Sequence, residues 1–202
     1  MVGLLTTLHA SLLILAAYFV GSTPFGLLVG RAVGIDVRDV GSGNIGATNV
    51  ARTIGKKAGA VVLLFDALKG AVPAIAVQML GIATQVDPLF VSAICFAAIF
   101  GHCFPIWLKF RGGKGVATAV GAYLVLDPAV AMLAVVIFIA MYAAFRVVSL
   151  GSITASVAAP VLLLVLDRPV EIVVLAVACA GLITLKHGPN IRRLLGKREL
   201  KV

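Results

Sequence analysis

Residues 1–30 read MVGLLTTLHASLLILAAYFVGSTPFGLLVG, and no Lys, Arg, Asp or Glu interrupts them before Arg31. An uncharged apolar run this long exceeds the roughly 20 residues that carry a helix through a bilayer. It lacks the basic start and small-residue cleavage site of a signal peptide, so it is expected to remain as a first membrane helix. The same signature recurs further along. Of 202 residues, 61% are hydrophobic and 12% charged, and the mean hydropathy is +1.14. A soluble domain of this length needs a polar shell that such a composition cannot supply.

Charges and Pro/Gly punctuation divide the chain into seven apolar stretches: residues 8–30, 58–84, 88–108, 116–126, 128–145, 147–166, and a last one ending near residue 185. Seven crossings place the termini on opposite sides. With the C-terminus inside, the cytoplasmic segments hold 15 of the 17 Lys and Arg, leaving Arg168 outside and Lys69 within a span. Asp87, Asp127, Asp167 and Glu171 fall outside. Six or eight crossings would split the basic clusters between two faces, against the positive-inside rule. The expectation is an all-α integral membrane protein, a single polytopic domain over residues 1–202. It has about seven transmembrane helices, the N-terminus outside and the C-terminus cytoplasmic.

In this setting the net charge of +9 marks cytoplasmic loops facing anionic lipid rather than nucleic acid. Cys95, Cys103 and Cys179 fall in apolar runs without CxxC spacing, so they read as small hydrophobes.

One stretch is too short. Residues 116–126 rise only about 17 Å as a helix, against a hydrocarbon core of about 30 Å. The preceding Arg111-Gly-Gly-Lys-Gly115 is therefore expected to dip into the membrane, where irregular backbone survives only inside protein or beside a wet cavity. That makes Gly112, Gly113, Lys114 and Gly115 candidate site residues, the glycines letting backbone approach a phosphate and Lys114 opening the short helix.

A second loop, Val40-Gly-Ser-Gly-Asn-Ile-Gly-Ala-Thr-Asn-Val50, concentrates glycine with small polar side chains and is followed by Arg52, Lys56 and Lys57. Turned N–H groups and such side chains suit an anion, although a flexible linker is the plainer alternative. Its G-x-G-x-x-G match lacks the strand and βαβ unit of a dinucleotide site. His102 precedes Pro105 at a span end, and Lys186-His187-Gly-Pro-Asn190 closes the last span. His102 has an interfacial-filler reading, and the second cluster reads as a basic cap, for which His187 and Asn190 are less needed. Asp66 and Lys69, spaced i, i+3 inside a span, make either a functional or a helix-clamping pair. No acidic cluster suggests a divalent metal, and neither His102 nor His187 heads a His-x₄-Asp dyad.

At these residues the chain resembles the bacterial membrane glycerol-3-phosphate acyltransferases that use acyl phosphate as donor. The resemblance spans the chain and rests on three stretches: Gly41 to Asn49, Gly101 to Gly115, and Lys186 to Asn190. Gly21 to Gly26 and Ser149 to Thr154 also look like family features, while Arg111 stands where Lys is more usual.

The resemblance implies transfer of a fatty acyl group from acyl phosphate to the 1-hydroxyl of sn-glycerol 3-phosphate, giving lysophosphatidic acid and phosphate. The donor phosphate would take the hydroxyl proton. Ser42, Asn49, Arg52, His102, Lys114, His187 and Asn190 would be catalytic. Gly41, Gly43, Asn44, Gly46, Thr48, Lys69, Gly112, Gly113 and Gly115 would bind substrate. No cofactor, metal, nucleic acid or obligate protein partner is expected, only the two substrates and the lipid bilayer. The location would be the bacterial cytoplasmic (inner) membrane, with the site facing the cytoplasm. A phosphate-ester transporter or flippase is the alternative, but its outer loops should be basic or polar, and here they carry mostly Asp.

Overall fold

Each helix boundary in the computed structural model has a local cause. The structure describes residues 2–81, 83 and 87–196, with residues 2–10 described by backbone alone. The expected span end at Thr84 and the tail charges Lys197, Arg198 and Lys201 lie outside the described residues. Ten α-helices, a short 3₁₀ turn at Ile106–Leu108 and no strand occur among those described.

The expected first span, residues 8–30, is not one helix. It divides into α1 (Val2–Gly21) and α2 (Phe25–Ala32). Pro24 has no N–H to continue the ladder and disfavours helical geometry at Thr23, so the chain breaks there. After a loop come α3 (Ala47–Thr53) and α4 (Lys56–Met79). Next is α5 (Pro88–Cys103), started by Asp87, whose side chain accepts from the Leu89 N–H, and by Pro88 at the first helical position. The expected third span ran to residue 108. Its α-helix stops at Cys103 because Pro105 follows, and Ile106–Leu108 form the 3₁₀ turn.

Then follow α6 (Val116–Leu126), α7 (Pro128–Phe145), α8 (Val148–Val165), α9 (Val170–Lys186) and α10 (Gly188–Leu195). Asp127 caps α7 through Val130 N–H and pairs with Arg168 at 2.8 Å, tying the α6–α7 turn to the α8–α9 turn. By length and composition five stretches can cross a membrane: Ser11–Ala32, Lys56–Met79, Pro88–Leu108, Pro128–Phe145 and Val148–Val165. A sixth arises if α9 and α10, bent 60° apart, count as one; α6 is shorter.

Lipid offers apolar helices little reason to associate, so close backbone packing has to hold them together. A Cβ on Gly70 of α4 would overlap the Thr118 carbonyl of α6, and one on Gly121 of α6 would overlap the Ala67 carbonyl of α4. Gly21 against Ala98 and Gly101 against Tyr18 do the same for α1 and α5. The largest buried cluster lies among α5, α6, α8 and α9, around Ile99, Ala122, Leu163 and Ile183. Much of α7, by contrast, exposes large apolar side chains such as Met132, Leu133 and Val136, as a lipid-facing helix would.

Candidate active site

The loop at residues 40–49 is folded from within. Asn49 of α3 donates its amide to the Val37 and Val40 carbonyls at 2.9 and 3.1 Å, and its Oδ1 accepts from Ser42 N–H at 2.8 Å. Asn44 Oδ1 accepts from Gly46 N–H at 2.8 Å. Gly41 and Gly43 take left-handed backbone, φ 62° and 69°, to make the turns between. Upstream, Asp36 accepts from both the backbone N–H and the guanidinium of Arg38. Those bonds hold its carboxyl well below the usual carboxylate range. Thus the amide of Asn49, though at the cavity edge, is spent on the loop itself rather than left for substrate.

The glycine loop is hung from the end of α5. A helix end leaves its last carbonyls without helical partners, and here those of His102, Cys103 and Phe104 find partners elsewhere. His102 O accepts from Gly113 N–H at 3.0 Å and Cys103 O accepts from Gly112 N–H at 3.2 Å. Cys103 O also accepts from Lys186 Nζ at 2.8 Å, and Phe104 O accepts from Tyr18 Oη at 2.9 Å. Lys186 lies over the Phe104 ring, 4.6 Å from its centroid. A Cβ at Gly113 would fall on the His102 imidazole, and one at Gly112 on the His102 carbonyl and the Pro105 ring. Packing against α5 therefore requires these two glycines, where approach to a ligand was expected to. Helix α6 keeps the bounds expected for the short stretch, residues 116–126, but Lys114, expected to open it, lies two residues before its start. Gly115, at φ 85°, is its N-cap, and Lys114 precedes it with Nζ donating to Asn190 Oδ1.

These loops close one end of a cavity of about 690 Å³. Of the expected site residues, Ser42, Asn44, Gly46, Thr48, Asn49, Arg52, His102, Lys114, Gly115, His187 and Asn190 line it. Gly41, Gly43, Gly112 and Gly113 do not line it. Lys69 is not on the wall either: it is buried in an ion pair with Asp66, Nζ to Oδ1 2.9 Å, and donates to the Thr23 carbonyl, also at 2.9 Å. Asp66, expected only as half of a functional or helix-clamping pair, is on the wall, as are Ser149, Ser152 and Arg193, for which the sequence suggested no site role. Ser149 and Ser152 share a face one turn apart at the start of an apolar helix, and Arg193 sits i+3 from Asn190. Those spacings were the available signal.

The polar end offers anion-binding groups. Arg52, Lys114 and Arg193 bring three cations, and the first turn of α6 opens there. Arg52 Nε is enclosed and has no hydrogen-bond partner within the protein. Enclosed guanidinium N–H groups need an acceptor, and a phosphate oxygen is a fitting one. His187 Nδ1 donates to Ile183 O at 2.7 Å, which fixes the tautomer and makes Nε2 the acceptor nitrogen of the neutral ring. Deeper in, the walls are Leu63 and Leu64 of α4, Val135, Phe138 and Ile139 of α7, Ala159 of α8 and Ala176 of α9. One cavity therefore joins a cationic mouth to an apolar interior.

Comparison with known proteins agrees with that architecture. The model of the glycerol-3-phosphate acyltransferase family matches residues 11–197. The chain is 48% identical over 191 residues to the glycerol-3-phosphate acyltransferase of Myxococcus xanthus, covering 94% of this chain and 97% of that one. It is 46% identical over 187 residues to that of Geobacter sulfurreducens, covering 93% and 94%. Among solved structures it superposes on PlsY, an integral membrane glycerol 3-phosphate acyltransferase, in its glycerol 3-phosphate form. The TM-score is 0.90 at 40% identity, covering 96% of both chains. The lysophosphatidic acid form of the same protein gives a TM-score of 0.87, also at 40% identity, over 96% of this chain and 95% of that one.

Proposed function

The chain belongs to the glycerol-3-phosphate acyltransferase family, and from that premise we propose that it draws its acyl group from an acyl phosphate and delivers it to the 1-hydroxyl of sn-glycerol 3-phosphate. It is an integral membrane acyltransferase of phospholipid synthesis, converting glycerol 3-phosphate to lysophosphatidic acid. The observation that carries the donor reading is the single cavity, cationic at one end and apolar at the other. An acyl phosphate has that same polarity within one molecule.

The chemistry follows from charge and distance. The glycerol oxygen forms a bond to the acyl carbon, the acyl carbon–oxygen bond to phosphate breaks, and the hydroxyl proton leaves with the released phosphate. Acyl phosphates are already activated, so the protein has chiefly to hold two mutually repelling anions together and neutralise the charge that develops. Arg52, Lys114 and Arg193 supply positive charge from three different segments, and Ser42, Thr48, Ser149, His187 and Asn190 supply further polar contacts around them. The apolar interior takes the acyl chain.

Purified protein given glycerol 3-phosphate with either acyl phosphate or acyl-CoA tests the donor directly. Lysophosphatidic acid is expected from acyl phosphate alone, and equal use of acyl-CoA would overturn the proposal. The reaction is also expected to keep most of its rate in excess chelator. Among the described residues Asp66 is the one carboxylate on the cavity wall, and Lys69 already occupies it. Complete loss of rate, restored by Mg²⁺, would contradict this.

We further propose seven crossings of the bacterial cytoplasmic membrane in one polytopic domain, with α6 as the short fourth. The N-terminus is then outside, and the C-terminus and cavity mouth face the cytoplasm. A reporter active only in the cytoplasm, fused after Val202, is expected to be active. Activity of an export-only reporter at that position would refute the orientation.

A further inference from the structure

Two buried ionisable groups beside the cavity have no part in the chemistry above. Asp66 and Lys69 of α4 are 2% and 3% exposed, and they meet His102 of α5, 4% exposed. Lys69 Nζ lies 2.9 Å from Asp66 Oδ1, and the same oxygen lies 3.5 Å from His102 Nδ1. That nitrogen is fully enclosed and has no other partner. A bare Nδ1 would set a lone pair against the carboxylate, so Nδ1 carries the hydrogen and Asp66 orients the imidazole.

The opposite edge of that imidazole supports the glycine loop. Its Nε2, Cε1 and Cδ2 occupy the space a Gly113 side chain would need, while Gly113 N–H donates to the His102 carbonyl. Lys114 is the next residue. A turn of the His102 ring therefore displaces Gly113, and with it the ammonium that binds phosphate.

The Lys69 pairing explains how a carboxylate is tolerated here. An isolated negative charge at the wall would repel both phosphate substrates. Paired with Lys69, Asp66 still points an oxygen at His102 while the pair has no net charge. Lys69 is held in turn by the Thr23 carbonyl at the α1–α2 break.

We propose that Asp66 is a positioning residue for the phosphate-binding loop: acting through His102, it sets where Gly113 and Lys114 stand. The proposal rests on the acyltransferase reading above, because the phosphate it concerns is that of a substrate.

The test uses the full-length enzyme in detergent and a double-mutant cycle of Asp66→Asn and His102→Gln, with Asp66→Asn/Lys69→Met as a charge-balanced companion. Steady-state kinetics give kcat and KM for both substrates, and calorimetry gives the affinity for inorganic phosphate without turnover. Asp66→Asn and the companion are expected to raise KM for a phosphate substrate, and to weaken inorganic phosphate binding, by about tenfold, with kcat less affected. In the His102→Gln background, Asp66→Asn is expected to add less than about twofold, since the two act as one unit.

Unchanged KM and phosphate affinity, with only thermal stability or active fraction reduced, would make the triad a helix clamp and overturn the proposal. Fully additive effects in the cycle would overturn it too. If the wild-type enzyme forms no lysophosphatidic acid from acyl phosphate, the donor reading fails separately, and the phosphate affinities still decide the role of Asp66.

Discussion

Lys114→Ala is expected to lower kcat/KM by about a hundredfold or more, the scale of about 3 kcal/mol for one electrostatic contact to a transition state. Lys114 stands at the opening of α6, half-buried on the cavity wall, with its ammonium held by the neutral Asn190 side chain. That partner orients the charge without cancelling it. The positive end of α6 lies one residue away, so the place favours an anion from two directions. Lys114→Arg keeps the charge but replaces a point donor with a planar fork on a different reach, so only part of the rate is expected to return. Lys57→Ala, on an exposed residue outside the cavity, is expected to change little. Kinetics of the three variants at matched amounts of folded enzyme decide the matter. A Lys114→Ala enzyme close to wild type would remove the phosphate role from this loop.

Gly121→Leu is expected to abolish folded enzyme. The α4–α6 crossing is reciprocal, Gly121 lying under the Ala67 carbonyl and Gly70 under that of Thr118. A leucine there cannot be relieved by a side-chain rotation, because the obstacle is backbone, so the helices must part. Overpacking commonly costs about 1–3 kcal/mol and more when backbone has to move. The same crossing carries Asp66 and the N-terminal turn of α6, so the cavity should be lost with it. Gly181→Ala on α9 is the control. Nothing lies within 4 Å of its added methyl, and Ala is the better helix former by about 1 kcal/mol. Thermal unfolding and gel filtration in detergent should show the first variant aggregated and the second unchanged or more stable. A monodisperse Gly121→Leu protein with near wild-type unfolding would contradict the packing argument.

The all-helical membrane character was legible because lipid imposes two simple demands, long uncharged runs and internally satisfied backbone, and both are written in local composition. The candidate loops were legible for a related reason. Glycine, asparagine and basic residues dense between apolar runs have few structural uses. Eleven of the expected site residues then lie on one cavity wall. Boundaries suffered where a proline acts locally, as at Pro24 and Pro105, where hydropathy ran on but the helix did not.

By itself, then, the sequence determined that this chain lives in a bilayer, which loops are basic, and which segments bring polar and cationic side chains to the cavity wall. Composition and spacing act over a few residues, and those properties are set over the same range. Only the tertiary structure decided what each of those residues touches. It spent Asn49 on its own loop, withdrew Lys69 from the wall, brought Asp66 to His102 across two helices, and gave Gly113 an imidazole to lie against. Such assignments depend on which helix faces which. In a membrane that is settled by backbone contact at glycines far apart in the chain, a quantity no local pattern contains.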